Sequence, residues 1–152
     1  GKLKEADESF QESLKISEQV QGKEHVNYNS TLVCIASLYM DMGRRKEALA
    51  LYLQATAALE GSLGKRHPMV SQALNNLATL RYSEGKFTDA AELFQRCVDI
   101  EEGALGMENI HIAPTYSNLG AAHYQNGQYQ IAKPLFERAL ELQVNVYGED
   151  HP

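Results

Sequence analysis

The sequence predicts an all-α chain: a right-handed α-solenoid of antiparallel helical hairpins, with about seven helices. Two observations carry this reading. First, Gly1, Gly43, Gly85 and Gly127 are each 42 residues apart (43 − 1, 85 − 43, 127 − 85). A second series, Gly22, Gly64, Gly106 and Gly148, keeps the interval, so the two series hold 8 of the 11 glycines. Self-similarity at a fixed period of this size marks stacked supersecondary units. Second, the stretches between glycines carry apolar residues at helical spacing. Leu74, Leu77, Ala78 and Leu80 share one face, and Phe87, Ala90, Ala91, Phe94, Cys97 and Val98 repeat the pattern.

Each element follows from this register. A second helix without its partner is expected over about 3–20, then three full hairpins opening near His25, His67 and Ile110. The array therefore divides into a half repeat, 1–24, hairpins 25–66, 67–109 and 110–150, and the start of a further repeat at 151–152. Gly85 sits where a left-handed residue ends one helix and turns into the next. In "LGKRHP", Gly64 stops the second helix and Pro68 suits the first turn of the following one. Small residues recur at Ala6, Ala48, Ala90 and Ala132, and again at Ser13, Ala55, Cys97 and Ala139. Close helix crossings need small side chains, and the aromatics Phe10, Tyr52, Phe94 and Phe136 fill the space beside them. Pro114 lies too deep for a helix opening at Ile110, so that helix is expected to begin near Ile112. Pro134 is expected to bend its helix without breaking it. The chain opens within a hairpin and closes on "HP", and it is expected to be cut from a longer array.

The motif Leu74, Leu77-Ala78, Gly85, Phe87, Ala90, Phe94 and Cys97 resembles the tetratricopeptide repeat, whose ordinary length is about 34 residues. The stretch from Ala55 to Leu74 accounts for the longer period here. "LGKRHP", "YGEDHP" and "LNNLA" resemble the repeats of kinesin light chains and nephrocystin-type proteins. The resemblance covers all 152 residues. It implies that the first helix of each hairpin lines a concave groove and the second forms the outer wall.

Composition narrows the function. With 43% hydrophobic and 22% charged residues the chain is ordinary for a soluble protein. No apolar run approaches the ~18 residues of a membrane span, and no signal peptide is visible. A cytoplasmic location is expected. With 14 basic against 20 acidic residues and no basic run, the net charge of −6 argues against nucleic acid and anionic membranes. A protein partner remains.

No catalytic, cofactor or metal site is expected, and the chain reads as a non-enzyme. His25, His67 and His151 share one repeat phase just before a helix and read as turn residues. His111 and His123 have no carboxylate or cysteine at metal-ligand spacing. Cys34 and Cys97 differ in phase, so two reduced thiols in small-residue positions are expected. Glu84, Glu101 and Glu102 read as solvated faces.

Binding is expected on the first helices, which carry few charges. Their inward positions are Ser30, Cys34 and Ser37, then Gln72, Asn76 and Thr79, then Asn118 and Ala121. An asparagine amide offers both donor and acceptor, so it can pair with the backbone of an extended peptide of any sequence. Groove recognition is expected of Asn76 and Asn118, which the resemblance also places on cargo peptides, and a packing role of Asn75. Kinesin light chain grooves that accept acidic peptides carry basic residues at phases held here by Ser30, Gln72 and Pro114, and by Ser17, Leu59 and Glu101. None is basic, which argues against an acidic ligand. The function expected is a peptide-binding scaffold or adaptor within a larger protein. The alternative is a structural spacer, or an array that self-associates through its exposed ends, at Leu3, Phe10 or Leu14 and at Ile131, Leu135 or Leu142, with no dedicated peptide ligand.

Overall fold

The computed structural model describes residues 2–22 and 26–147. Gly1, His25, Gly148 and His151, the side chains of Leu3, Ala6 and Ser17, and the outermost repeat boundaries lie outside the described residues. The helices are α1 (Lys2–Gln21), α2 (Val26–Asp41), α3 (Arg45–Leu63), α4 (Pro68–Ser83), α5 (Phe87–Leu105), α6 (Ala113–Gln125) and α7 (Tyr129–Tyr147), with a 3₁₀ turn at Ile110–Ile112. No strand occurs among the described residues. The predicted all-α repeat class is therefore the one observed, and its period is visible in the elements. Helices α3, α5 and α7 each hold 19 residues, and α2 and α4 each hold 16.

Glycine writes that period into the backbone. Gly43, Gly85 and Gly127, within the hairpins, have φ of 75°, 75° and 74°. Gly22, Gly64 and Gly106, between hairpins, have φ of 82°, 86° and 84°. A Cβ added at any of the six would meet nothing within 4 Å. The left-handed backbone selects glycine here, and lack of space does not. Across two of the hairpin turns, aromatic pairs clasp edge to face: Tyr82 with Phe87 at 5.2 Å, and Tyr124 with Tyr129 at 5.0 Å.

The helices fall into two compact units, Gly1–Leu80 and Arg81–Pro152. In the first, α1 packs on α2 and α2 on α3. Leu32, Ile35, Leu59 and Leu74 are almost wholly buried, and Ala48 and Ala55 supply the small positions that let helices approach. Arg44 anchors the α2–α3 turn: its guanidinium lies 3.8 Å from the Tyr39 ring centroid, 3.5 Å from Asp7 and in a fork with Glu47. In the second unit α6 packs against both α5 and α7. Phe94, Cys97, Ile112, Leu119 and Leu142 form its interior.

The joints between hairpins are built alike. Gly64 N–H donates to Glu60 O and His67 N–H to Gly64 O; Gly106 N–H donates to Glu102 O and Asn109 N–H to Gly106 O. His67 then accepts Met69 N–H on Nδ1 at 3.2 Å. Asn109, in the same repeat phase, accepts His111 N–H on Oδ1 at 2.9 Å. The turn histidine is thus a helix cap, and asparagine replaces it one repeat later.

Pro114 changes the start of the third hairpin as the sequence implies. A helix opening at Ile110 would press the proline ring against the Ile110 carbonyl. Instead Ile110–Ile112 form a 3₁₀ turn, Ala113 N–H takes the Ile110 carbonyl, and Pro114 falls in the first turn of α6. Helix α7 runs through Pro134 to Tyr147 without interruption.

Three expectations need correction. Leu142 is buried; among the described side chains of α7 the exposed apolar ones are Tyr129, Ile131, Phe136 and Leu140, while Leu135 is half-buried. Among the described side chains of α1, Phe10 and Leu14 are half-buried, and Ile16 and Val20 are exposed. The acidic residues expected to be solvated are engaged. Glu84 receives Lys86 at 3.1 Å and Arg81 at 3.1 Å, and these bonds, Lys86 first, hold its carboxyl below the usual range. Glu101 accepts the Thr115 hydroxyl at 2.7 Å, and Glu102 accepts the Tyr116 hydroxyl. Burial, then the Glu102 contact, pushes the Tyr116 hydroxyl up to about 12.

Candidate interaction groove

The first helices carry little charge because few charged residues were written into them. Of Asp, Glu, Lys and Arg, helix α2 holds only Asp41, α4 only Arg81 and α6 none. In the first unit, Ser30 and Cys34 of α2 and Gln72 of α4 meet at one cleft of about 90 Å³. Its remaining lining is Val33, Leu59, Met69 and Ala73. Leu59 and Ala73 are almost fully buried, whereas Cys34 and Gln72 are exposed, so an apolar floor lies under a polar rim. Ser30 donates its hydroxyl to the Val26 carbonyl at 3.0 Å, which spends the donor and leaves lone pairs outward.

The other predicted positions do not line this cleft. The half-buried Ser37 hydroxyl pairs with Tyr52 OH at 2.8 Å, tying α2 to the second helix of its own hairpin. Tyr52 is itself raised by burial, an effect the Ser37 bond partly offsets. Thr79 is exposed and donates to the Asn75 carbonyl at 2.9 Å. Asn75 and Asn76 are both half-buried, and neither side-chain amide bonds to another described residue, so the two do not separate by burial. In the second unit, Asn118 and Ala121 of α6 are half-buried, and the Asn118 amide likewise has no partner among the described residues. Cys34, Asn76 and Asn118 occupy one repeat phase, 42 residues apart (76 − 34, 118 − 76). Neither cysteine is in a disulfide; Cys34 is exposed and Cys97 buried.

His123 pairs with Gln128 at 2.7 Å, and His111 is an exposed residue of the 3₁₀ turn. Among the described residues, no group of three or more His, Cys, Asp or Glu side chains could hold a metal ion. No described helix is long and apolar enough to cross a membrane. Sequence reasoning missed Arg138, which gathers Glu108 at 2.7 Å, Glu141 at 2.7 Å and the Met107 carbonyl at 3.0 Å. Arg96 holds the same phase one repeat earlier (138 − 96 = 42), but the partners of Arg138 come from a turn that differs between repeats, so phase alone does not show them.

Hairpins of this length, period and glycine geometry define a helical-repeat protein. A tetratricopeptide repeat model matches residues 27–102 and a second matches 113–152. The chain belongs to the tetratricopeptide repeat family, whose repeats generally mediate protein–protein interaction. Comparison with curated proteins gave no match. Among solved structures it is similar to BtubC (BKLC) from P. vanneervenii, with a TM-score of 0.88 and 23% identity, covering 100% of this chain and 60% of that one. It thus spans under two thirds of that protein. It is also similar to a P. anserina protein described as a kinesin light chain with nearly identical TPR-like repeats. There the TM-score is 0.86 at 26% identity, covering 100% of this chain and 72% of that one. A variant of the latter aligns with a TM-score of 0.86 at 27% identity over the same shares.

Proposed function

We propose that the chain is a protein-interaction module whose first helices hold an extended segment of a partner protein, as the scaffold or adaptor part of a larger cytoplasmic protein. The repeats are of the kinesin light chain-like subtype, and the working units are the hairpins 25–66, 67–109 and 110–150. The period of 42 residues and the likeness to the P. anserina repeats support the subtype. One observation carries the binding role. Asn76 and Asn118 are half-buried amides on weakly charged helices, and neither is consumed by a bond to another described residue. Such an amide can take both the N–H and the C=O of a peptide backbone. Ser30, Cys34, Gln72, Thr79 and Ala121 complete the proposed surface, with Ser37 supporting it through Tyr52. No catalytic step, cofactor or nucleic acid is part of this role.

The test is a display library of extended peptides selected on the wild-type chain, followed by titration of the recovered peptide against Asn76→Ala/Asn118→Ala. Losing about two to four hydrogen bonds at ~0.5–1.5 kcal/mol each weakens binding roughly tenfold or more. The melting temperature stays near wild type, and salt has little effect on affinity. A library yielding no saturable binder, or a variant that melts early but binds normally, overturns the reading. Self-association through the ends is the second reading, favoured by Tyr129, Ile131, Phe136 and Leu140 on the surface of α7.

A further inference from the structure

The cleft between α2 and α4 bears on what the partner must look like. Its volume, about 90 Å³, is the space of roughly three waters at ~30 Å³ each. That suits three or four heavy atoms better than an aromatic ring system. Its floor is aliphatic: Leu59 is 1% exposed, Ala73 1% and Val33 9%. Met69 adds a pliable thioether wall at one side. No charged side chain lines it. A carboxylate or ammonium placed there would be partly desolvated with no counter-charge, whereas an alkyl group would leave water at no polar cost. The rim is uncharged but polar, with the Gln72 amide and the Ser30 oxygen free to meet a passing backbone.

We propose that this cleft is a specificity subsite that accepts one aliphatic side chain, of valine to leucine size, from the bound segment. The partner segment is therefore neutral and aliphatic at this point, neither acidic nor aromatic. This rests on the groove reading above but can be tested without any partner, because Cys34 stands on the rim and is exposed. The other cysteine, Cys97, is 0% exposed and does not compete.

The experiment equilibrates the folded chain with mixed disulfides of cysteamine under a reducing buffer and reads Cys34 labelling by mass. The probes carry ethyl, propyl, isobutyl, carboxymethyl or indolyl groups at constant linker length. Labelling is expected to rise about fourfold for each methylene that enters the cleft. Propyl and isobutyl should then lead, with carboxymethyl and indolyl lowest. Ala73→Met fills the floor, and Ser30→Leu fills it from the other side should the first variant melt early. Either should erase the preference while leaving the rate with iodoacetamide unchanged. Equal labelling across the series, or a lead for the carboxymethyl or indolyl probe, overturns the subsite. The backbone grip of Asn76 and Asn118 would stand or fall separately, by the titration already described.

Discussion

At the residue scale, Gly120 shows what a repeat register predicts and where it stops. The earlier hairpins place Ala36 and Ala78 in its phase, both fully buried. At Gly120 a Cβ would come within 3.1 Å of the Phe136 ring. That ring is 39% exposed, whereas its phase counterparts Tyr52 and Phe94 are 3% and 2% exposed. A ring open to water on one side can yield a few tenths of an ångström. Gly120→Ala should therefore keep most of the ~1 kcal/mol by which alanine outranks glycine inside a helix. The expected result is a melting temperature raised by about 2–4 °C. A lowered one would mean that the ring is pinned and the contact is a fitted one. Sequence alone shows only that a small residue is wanted here. The distance to Phe136 depends on how α7 lies on α6. Ser37 is a similar case: its phase suggests the groove, but a hydroxyl within reach of Tyr52 bonds there instead.

At the scale of elements, the joints between hairpins set the helix starts, and their chemistry is an acceptor offered two residues upstream of a free N–H. His67 does this with Nδ1 and Asn109 with Oδ1. If capping is the histidine's contribution, His67→Asn should melt close to wild type. His67→Ala should lose about 0.5–2 kcal/mol, the usual cost of deleting a cap. Equal losses in both variants would assign His67 another role. The joint also explains which parts of the fold could be read in advance. Helix ends were legible because positive φ demands glycine, and the 3₁₀ start of the third hairpin was legible because proline forbids one backbone geometry. The capping asparagine was not, since the recurring histidine drew notice to its ring and away from the shared lone pair. The half-buried acids Glu101 and Glu102 were missed for a related reason. Their donors are the hydroxyls of Thr115 and Tyr116 fourteen residues on, a pairing that only the packed α5–α6 joint brings about.

At the scale of the whole molecule, what the apolar faces bury stands against what they leave open. Helix α7 packs on α6 yet leaves Tyr129 at 59%, Ile131 at 46%, Phe136 at 39% and Leu140 at 60% exposure. Together with Tyr124 and Ala132, Tyr129 and Phe136 line an open groove of about 650 Å³, flanked by Lys133 and Glu137. Helix α1 adds Ile16 and Val20 to the exposed apolar residues. A repeat array buries each apolar face against its neighbour, and faces left open favour association. Burying one such side chain at a contact is worth roughly 1.5–3 kcal/mol, before the entropy of association is subtracted. The chain should therefore associate as its concentration rises, read by sedimentation velocity over a hundredfold range. Ile131→Asn/Leu140→Asn should shift that equilibrium toward monomer by tenfold or more, because both sites lie on α7. Its melting temperature, measured dilute, should stay near wild type, since neither side chain is part of the core. Ile16→Asn/Val20→Asn separates the two ends: if it abolishes association while the α7 variant does not, α1 is the contact. A wild-type chain that sediments as a clean monomer at the highest concentration would show that these faces are tolerated in water.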